Sequence, residues 1–136
     1  MVVVDTSVVF KWTDKNEDLR DKALLILHNH LKKIERIIIP DLLFYEVANA
    51  WVTKSSLTLK ATYDNLDDLR DSDLMIESAN FDLLQKAISF SKKYNVSVYD
   101  ATYAVLAQEN QCDLITADEK FAKQVKLPFV KTLDEI

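Results

Sequence analysis

Met1-Val2-Val3-Val4-Asp5-Thr6-Ser7 decides how this chain folds. Successive β-branched valines favour extended backbone, because two heavy atoms on Cβ restrict χ1 and pack well on a pleated surface. Apolar side chains pointing both ways require cover on both faces, which marks a central parallel strand. The run stops at a carboxylate followed by two hydroxyls, which predicts a cap and a helix starting around Ser7. Asp5 is therefore expected at the carboxyl end of a central strand, where open α/β sheets place their ligands. Alone, Asp5 has a plainer reading as a residue that turns the chain.

Outward from that stretch, strand and helix patterns alternate. A short helix over Val8 to Trp12 is followed by a polar break, Thr13 to Glu17. Residues 18–34 read as an amphipathic helix with Leu19, Ala23, Ile26, Leu27, Leu31 and Ile34 at helical spacing. His28 and His30, two apart, face different sides of it and are read as surface residues that share no metal. Arg36 to Pro40 is a second buried strand closed by proline. Asp41 is expected to cap a helix to about residue 54, apolar nearly all round and so buried. Glu46 and Asn49 are its polar exceptions, on one face by their i, i+3 spacing. An unpaired buried carboxylate is costly, so either Glu46 reaches solvent or something cationic meets it.

Residues 55–72 read as a helix or helix pair, with Leu59, Tyr63, Leu66 and Leu69 as the expected inner stripe. Asp64, Asp67, Asp68 and Asp71 read as its solvated face. Asp73 to Glu77 reads as a third strand. Helix 80–94 is expected to turn Phe81, Leu84, Ala87, Ile88 and Ser91 inward. Ser97 caps another largely apolar helix, in which Asp100 is the first charge. In isolation Asp100 complements the helix dipole. Cys112 to Thr116 forms a strand, Asp118 caps helix 119–125, Leu127 to Val130 forms a last strand, and Thr132 to Ile136 a polar tail. The alternation predicts an α/β fold with a mainly parallel sheet and one domain over 1–136.

Composition narrows the chemistry. The 136 residues include no glycine. Phosphate-cradling loops, dinucleotide fingerprints and strained nucleophile elbows all need glycine, so those readings fall. Scarce glycine also stiffens loops, a feature of heat-adapted proteins. No apolar run approaches the roughly 18 residues that cross a bilayer, and no leader pattern precedes the first strand. A single Cys112 forms no internal disulfide and suits a reducing compartment, so a cytoplasmic location without membrane association is expected. The net charge of −5 disfavours a protein that coats nucleic acid, but not a local metal-bridged site.

Asp5 and Asp118 follow strands, while Glu46 and Asp100 interrupt apolar helices. A doubly wound sheet brings such positions to one edge. Two carboxylates about 4 Å apart repel by roughly 4 kcal/mol at an effective dielectric near 20, so four together need cations. Oxygen-only ligands suit Mg²⁺ or Mn²⁺, and without paired His or Cys zinc is disfavoured. A hard cation with neither nucleotide loop nor triad points to phosphodiester hydrolysis. Lys11, Lys54, Lys92 and Lys93 are candidate phosphate contacts, each also readable as solvated lysine. Tyr99 is either a base-stacking platform or a core residue.

Four pieces, Val3-Val4-Asp5-Thr6-Ser7, Tyr45-Glu46-Val47-Ala48-Asn49-Ala50, Tyr99-Asp100-Ala101-Thr102-Tyr103 and Thr116-Ala117-Asp118, together resemble the PIN domain family. The resemblance is to its small VapC-type toxin ribonucleases and runs in order over essentially the whole chain. It implies a three-layer α/β/α fold and a Mg²⁺- or Mn²⁺-dependent endoribonuclease acting on RNA. It also implies a homodimer silenced by a cognate antitoxin. Asp5, Glu46 and Asp100 match the principal metal ligands, and Asp118 matches the fourth acid. Ser7 and Thr116 fall at supporting hydroxyls, and Asn49 is expected to support the site from the face it shares with Glu46. Two other readings stand beside this one: a catalytically silent PIN-like scaffold that dimerises or binds a partner, and a Mg²⁺-binding phospho-acceptor receiver domain.

Overall fold

Val2–Val4 is the middle strand, β1, of a five-stranded parallel sheet with order β3-β2-β1-β4-β5 in a computed structural model that describes residues 1–136. All three valines are buried, as two-sided cover requires. The chain continues through α1 (Thr6–Thr13), α2 (Arg20–Leu31), β2 (Ile37–Pro40), α3 (Leu42–Lys54), α4 (Leu59–Asp71) and β3 (Met75–Glu77). It then runs through α5 (Phe81–Tyr94), α6 (Val98–Glu109), β4 (Asp113–Thr116), α7 (Glu119–Val125) and β5 (Val130–Thr132), ending in a 3₁₀ turn over Leu133–Glu135. Val3 pairs with Ile38 on one side and Leu114 on the other. From β1 the chain steps outward to β2 and β3, then crosses back to β4 and β5. This is a three-layer α/β/α arrangement. The order reverses between β1 and β4, the place where such sheets open a crevice beyond the strand ends.

The helices fall into two packed groups: α1 lies on α2 and α3, with α3 on α4, while α5 lies on α6. Helix α6 covers β1, β2 and β4, and Ala101 through Ala107 are all buried. That burial explains why its sequence is nearly free of charge. A core of 31 buried hydrophobic residues joins both groups to the sheet.

Several expectations are corrected. Helix α5 buries Leu83, Ala87 and Phe90, leaving Phe81 91% exposed and Leu84 and Ile88 exposed as well. Both sets satisfy a 3.6-residue period, and only the packing on α6 selects between them. In α4 only Leu69 of the expected stripe is buried, while Leu59, Tyr63 and Leu66 are exposed. Tyr45 and Val52 likewise leave one apolar face of α3 in solvent. Leu31 and Ile34 are exposed, whereas His30 is 2% exposed. The Ile37 N–H donates to His30 Nδ1 at 2.9 Å, so the ring proton sits on Nε2 and goes to the Ser72 carbonyl at 2.9 Å. His30 thus satisfies two backbone groups that would otherwise be orphaned in the interior. Asp41 does not cap α3 with its side chain; it accepts from Ala79 N at 3.1 Å. The last strand begins at Val130, three residues later than its pattern predicts, and the tail buries Leu133 completely.

Candidate active site

At the carboxyl edge of the sheet, Asp5 ends β1 and caps α1. Its Oδ1 accepts from Ser7 N at 3.0 Å, Val8 N at 3.3 Å and the Ser7 hydroxyl at 2.5 Å. Its Oδ2 accepts from the Thr116 hydroxyl at 2.5 Å. Ser7 Oγ also accepts from Ala117 N at 2.8 Å, and Thr116 Oγ1 from Asp118 N at 2.9 Å. The two hydroxyls therefore fix the turn after β4 to the turn after β1. Asp118, on that turn, is exposed and caps α7 through Phe121 N at 3.0 Å.

Glu46 comes from α3. Its Oε1 accepts from the Tyr103 hydroxyl at 2.6 Å and the Thr6 hydroxyl at 3.1 Å. Asp100 sits in the first turn of α6, where its N–H is capped by Ser97 Oγ at 3.0 Å. A cleft of about 610 Å³ is lined by Asp5, Glu46, Asp100 and Asp118, with Ser7 and Asn49 on its wall. Residues drawn from four separate parts of the chain meet in one hollow.

Electrostatics follow from that convergence. Loss of solvation lifts the Asp5 carboxyl from 3.8 to about 6, against the hydrogen bonds of Ser7, Thr116 and Val8, and the charge of Asp100 adds to the rise. Asp100 is also raised, by desolvation first and then by the charges of Asp118 and Glu46. Burial, followed by the charge of Glu46, holds the proton on Tyr103 well above the usual phenol range. The molecule's lysine and arginine pairs all involve other acids. These four carboxylates are left without a cationic side chain.

The donor set is oxygen throughout, which suits a hard divalent cation. The fit is one of charge and donor type: as placed, no three of the side chains stand together closely enough to enclose one ion. Oε2 of Glu46 accepts no hydrogen bond from the chain, so it keeps its lone pairs for a ligand.

Two cations line the cleft, Lys11 and Lys54. Lys11 is not the solvated lysine its sequence context offered. It is 5% exposed, and its Nζ donates to Asp18 Oδ1 at 2.9 Å and Asp18 O at 3.0 Å. Lys54 has no carboxylate partner. Lys92 and Lys93 lie in the last turn of α5 and do not line the cleft. Tyr99, beside Asp100, is 60% exposed and so is not a core residue. Sequence reasoning gave no role to Thr6 or Tyr103. The available signal was spacing, since Thr6 adjoins Asp5 and Tyr103 lies one helical turn after Asp100.

The PIN domain family profile matches residues 2–127. This chain belongs to the PIN domain family. That membership removes the receiver-domain alternative. Among solved structures, the chain is similar to VapC20 of Mycobacterium tuberculosis, described as a sarcin-ricin loop cleaving toxin, with a TM-score of 0.71 and 14% identity over 96% of this chain and 98% of that one. A toxin–antitoxin complex from Klebsiella pneumoniae matches with a TM-score of 0.71 and 18% identity over 100% of both chains. VapBC2 from Rickettsia felis, solved with a promoter DNA fragment, gives 0.69 and 18% over 97% of each. At these identities the likeness is one of fold. No curated protein sequence matches the chain.

Proposed function

We propose that this PIN domain is a Mg²⁺- or Mn²⁺-dependent endoribonuclease and the toxin of a VapBC-type toxin–antitoxin pair. The observation that carries the reading is the meeting of Asp5, Glu46, Asp100 and Asp118 in one cleft without a lysine or arginine partner. A doubly charged ion would offset the like charges that add to the raised pKa values of Asp5 and Asp100. Asp5, Glu46 and Asp100 are the residues that would hold it. Bound there, Mg²⁺ or Mn²⁺ supplies a water of lowered pKa and neutralises charge on the phosphate under attack. Ser7 and Thr116 orient Asp5, and Asn49 lines the wall beside Glu46. Asp118, at the solvent rim, helps orient the attacking water. Lys54 steadies the RNA backbone, and Tyr99 offers an exposed ring for a neighbouring base.

The toxin role is supported by the relatives described as toxins and toxin–antitoxin complexes. Exposed Tyr45, Val52, Phe81 and Ile88 leave apolar surface that a second copy and a cognate antitoxin would cover. A cytoplasmic setting goes with that role. No helix is long and apolar enough to cross a membrane.

The test is cleavage of a panel of structured and single-stranded RNAs in Mn²⁺, with and without chelator, by the wild-type chain and Asp100→Asn. Metal-dependent cleavage that falls at least about 100-fold in the variant is expected. Cleavage that survives chelation, or an undiminished Asp100→Asn protein, contradicts the reading. Silence of the wild-type chain over the whole panel favours the partner-binding scaffold.

A further inference from the structure

Glu46 does not stand in the cleft as a free carboxylate. Its Oε1 takes the Tyr103 hydroxyl at 2.6 Å and the Thr6 hydroxyl at 3.1 Å, and the two hydroxyl oxygens lie 3.0 Å apart. Each hydroxyl has one proton. The triangle therefore closes with Tyr103 donating along its shortest edge and Thr6 donating to Glu46 or to the phenol oxygen. Oε2 receives nothing from the chain.

The three corners come from the three elements that carry the principal acids. Thr6 follows Asp5 at the start of α1, Glu46 lies in α3, and Tyr103 is one turn beyond Asp100 on α6. Tyr103 is 2% exposed, so its ring is fixed by core packing and its hydroxyl is delivered to one place. A glutamate side chain has three soft torsions. Here two neighbours immobilise it by the same oxygen.

We propose that Tyr103, assisted by Thr6, is a positioning residue for divalent-cation binding: it holds Glu46 by Oε1 and leaves Oε2 as the oxygen free for an ion. This inference rests on the metal-dependent reading above and deepens it. Outer partners that orient a ligating carboxylate typically alter metal affinity by about 10- to 100-fold. A purely structural tyrosine would instead affect unfolding and leave the affinity of the folded chain alone.

The experiment is a titration of the full chain with Mn²⁺, read as free Mn²⁺ by electron paramagnetic resonance, alongside thermal unfolding in chelator. Tyr103→Phe is expected to weaken Mn²⁺ binding by about 10-fold or more. Thr6→Val is expected to weaken it less, and Thr6→Ser, which keeps the hydroxyl, to bind within about twofold of wild type. In a Glu46→Gln background Tyr103→Phe is expected to add less than about twofold, because its target is gone. Wild-type affinity in Tyr103→Phe, or an equal loss in the Glu46→Gln background, overturns the proposal. If Tyr103→Phe does not fold, the Thr6→Val and Thr6→Ser pair decides by the same criterion. A wild-type chain that binds no Mn²⁺ at millimolar concentration overturns the metal reading and this inference together, whereas binding that no hydroxyl variant alters overturns this inference alone.

Discussion

The Thr116 hydroxyl donates to Asp5 Oδ2 at 2.5 Å, joining the end of β4 to the end of β1 across 111 positions of sequence. With Ser7 on the other oxygen, it holds a carboxylate in a place that solvation disfavours. The strain of that arrangement is electrostatic, and pH reveals it.

Asp5 titrates at about 6 in the folded chain against 3.8 unfolded. The native state then binds more protons than the unfolded one between those values, so stability falls as pH rises from about 4 to about 6 and is level above. Asp100 shifts in the same direction and adds to the slope. For Asp5 the effect reaches about 3 kcal/mol at most. Urea denaturation in chelator over this range should show the fall in the wild-type chain. Asp5→Asn should lose most of it and be the more stable protein at pH 7.5. A wild-type profile that rises over the same window would contradict the burial argument.

Lys54 is the cleft's cation without a carboxylate partner, while Lys11 is held by Asp18. Lys54→Ala should raise KM several-fold with kcat little changed. It should also reduce the salt dependence of RNA binding by about 0.7 in the log–log slope, the value for one phosphate contact on a single strand. Binding isotherms at a series of salt concentrations test this. An unchanged slope removes Lys54 from the RNA path.

His30 holds Ile37 N and Ser72 O from the interior. His30→Leu keeps much of the volume but orphans both backbone groups, and should cost about 2–3 kcal/mol of stability in urea denaturation. A loss below about 0.5 kcal/mol would mean that water or local rearrangement satisfies them.

How far the sequence could be read follows from where its signals are local. The valine run and its terminal Asp5 placed β1 at the sheet's centre, because two-sided burial shows in three adjacent residues. The four acids were legible because a charge in an apolar helix or at a strand end is conspicuous. The inward face of α5 was not: Leu83-Ala87-Phe90 and Phe81-Leu84-Ile88 are equally periodic, and the choice lies in its partner α6. His30 and Lys11 read as solvated because their partners lie in segments that meet them only after folding. Tyr103 stood in the sequence only as the end of the Tyr99-Asp100-Ala101-Thr102-Tyr103 piece, with no role; its hydroxyl gained one from Glu46, 57 positions away.

The most direct measurement is Mn²⁺ binding to the folded chain, compared with Asp5→Asn, Glu46→Gln and Asp100→Asn. The account predicts that the wild-type protein binds the ion and that each neutralised variant binds it at least about 10-fold more weakly while remaining folded. A wild-type chain that leaves all Mn²⁺ free at millimolar concentration, or variants that bind as the wild type does, would contradict it.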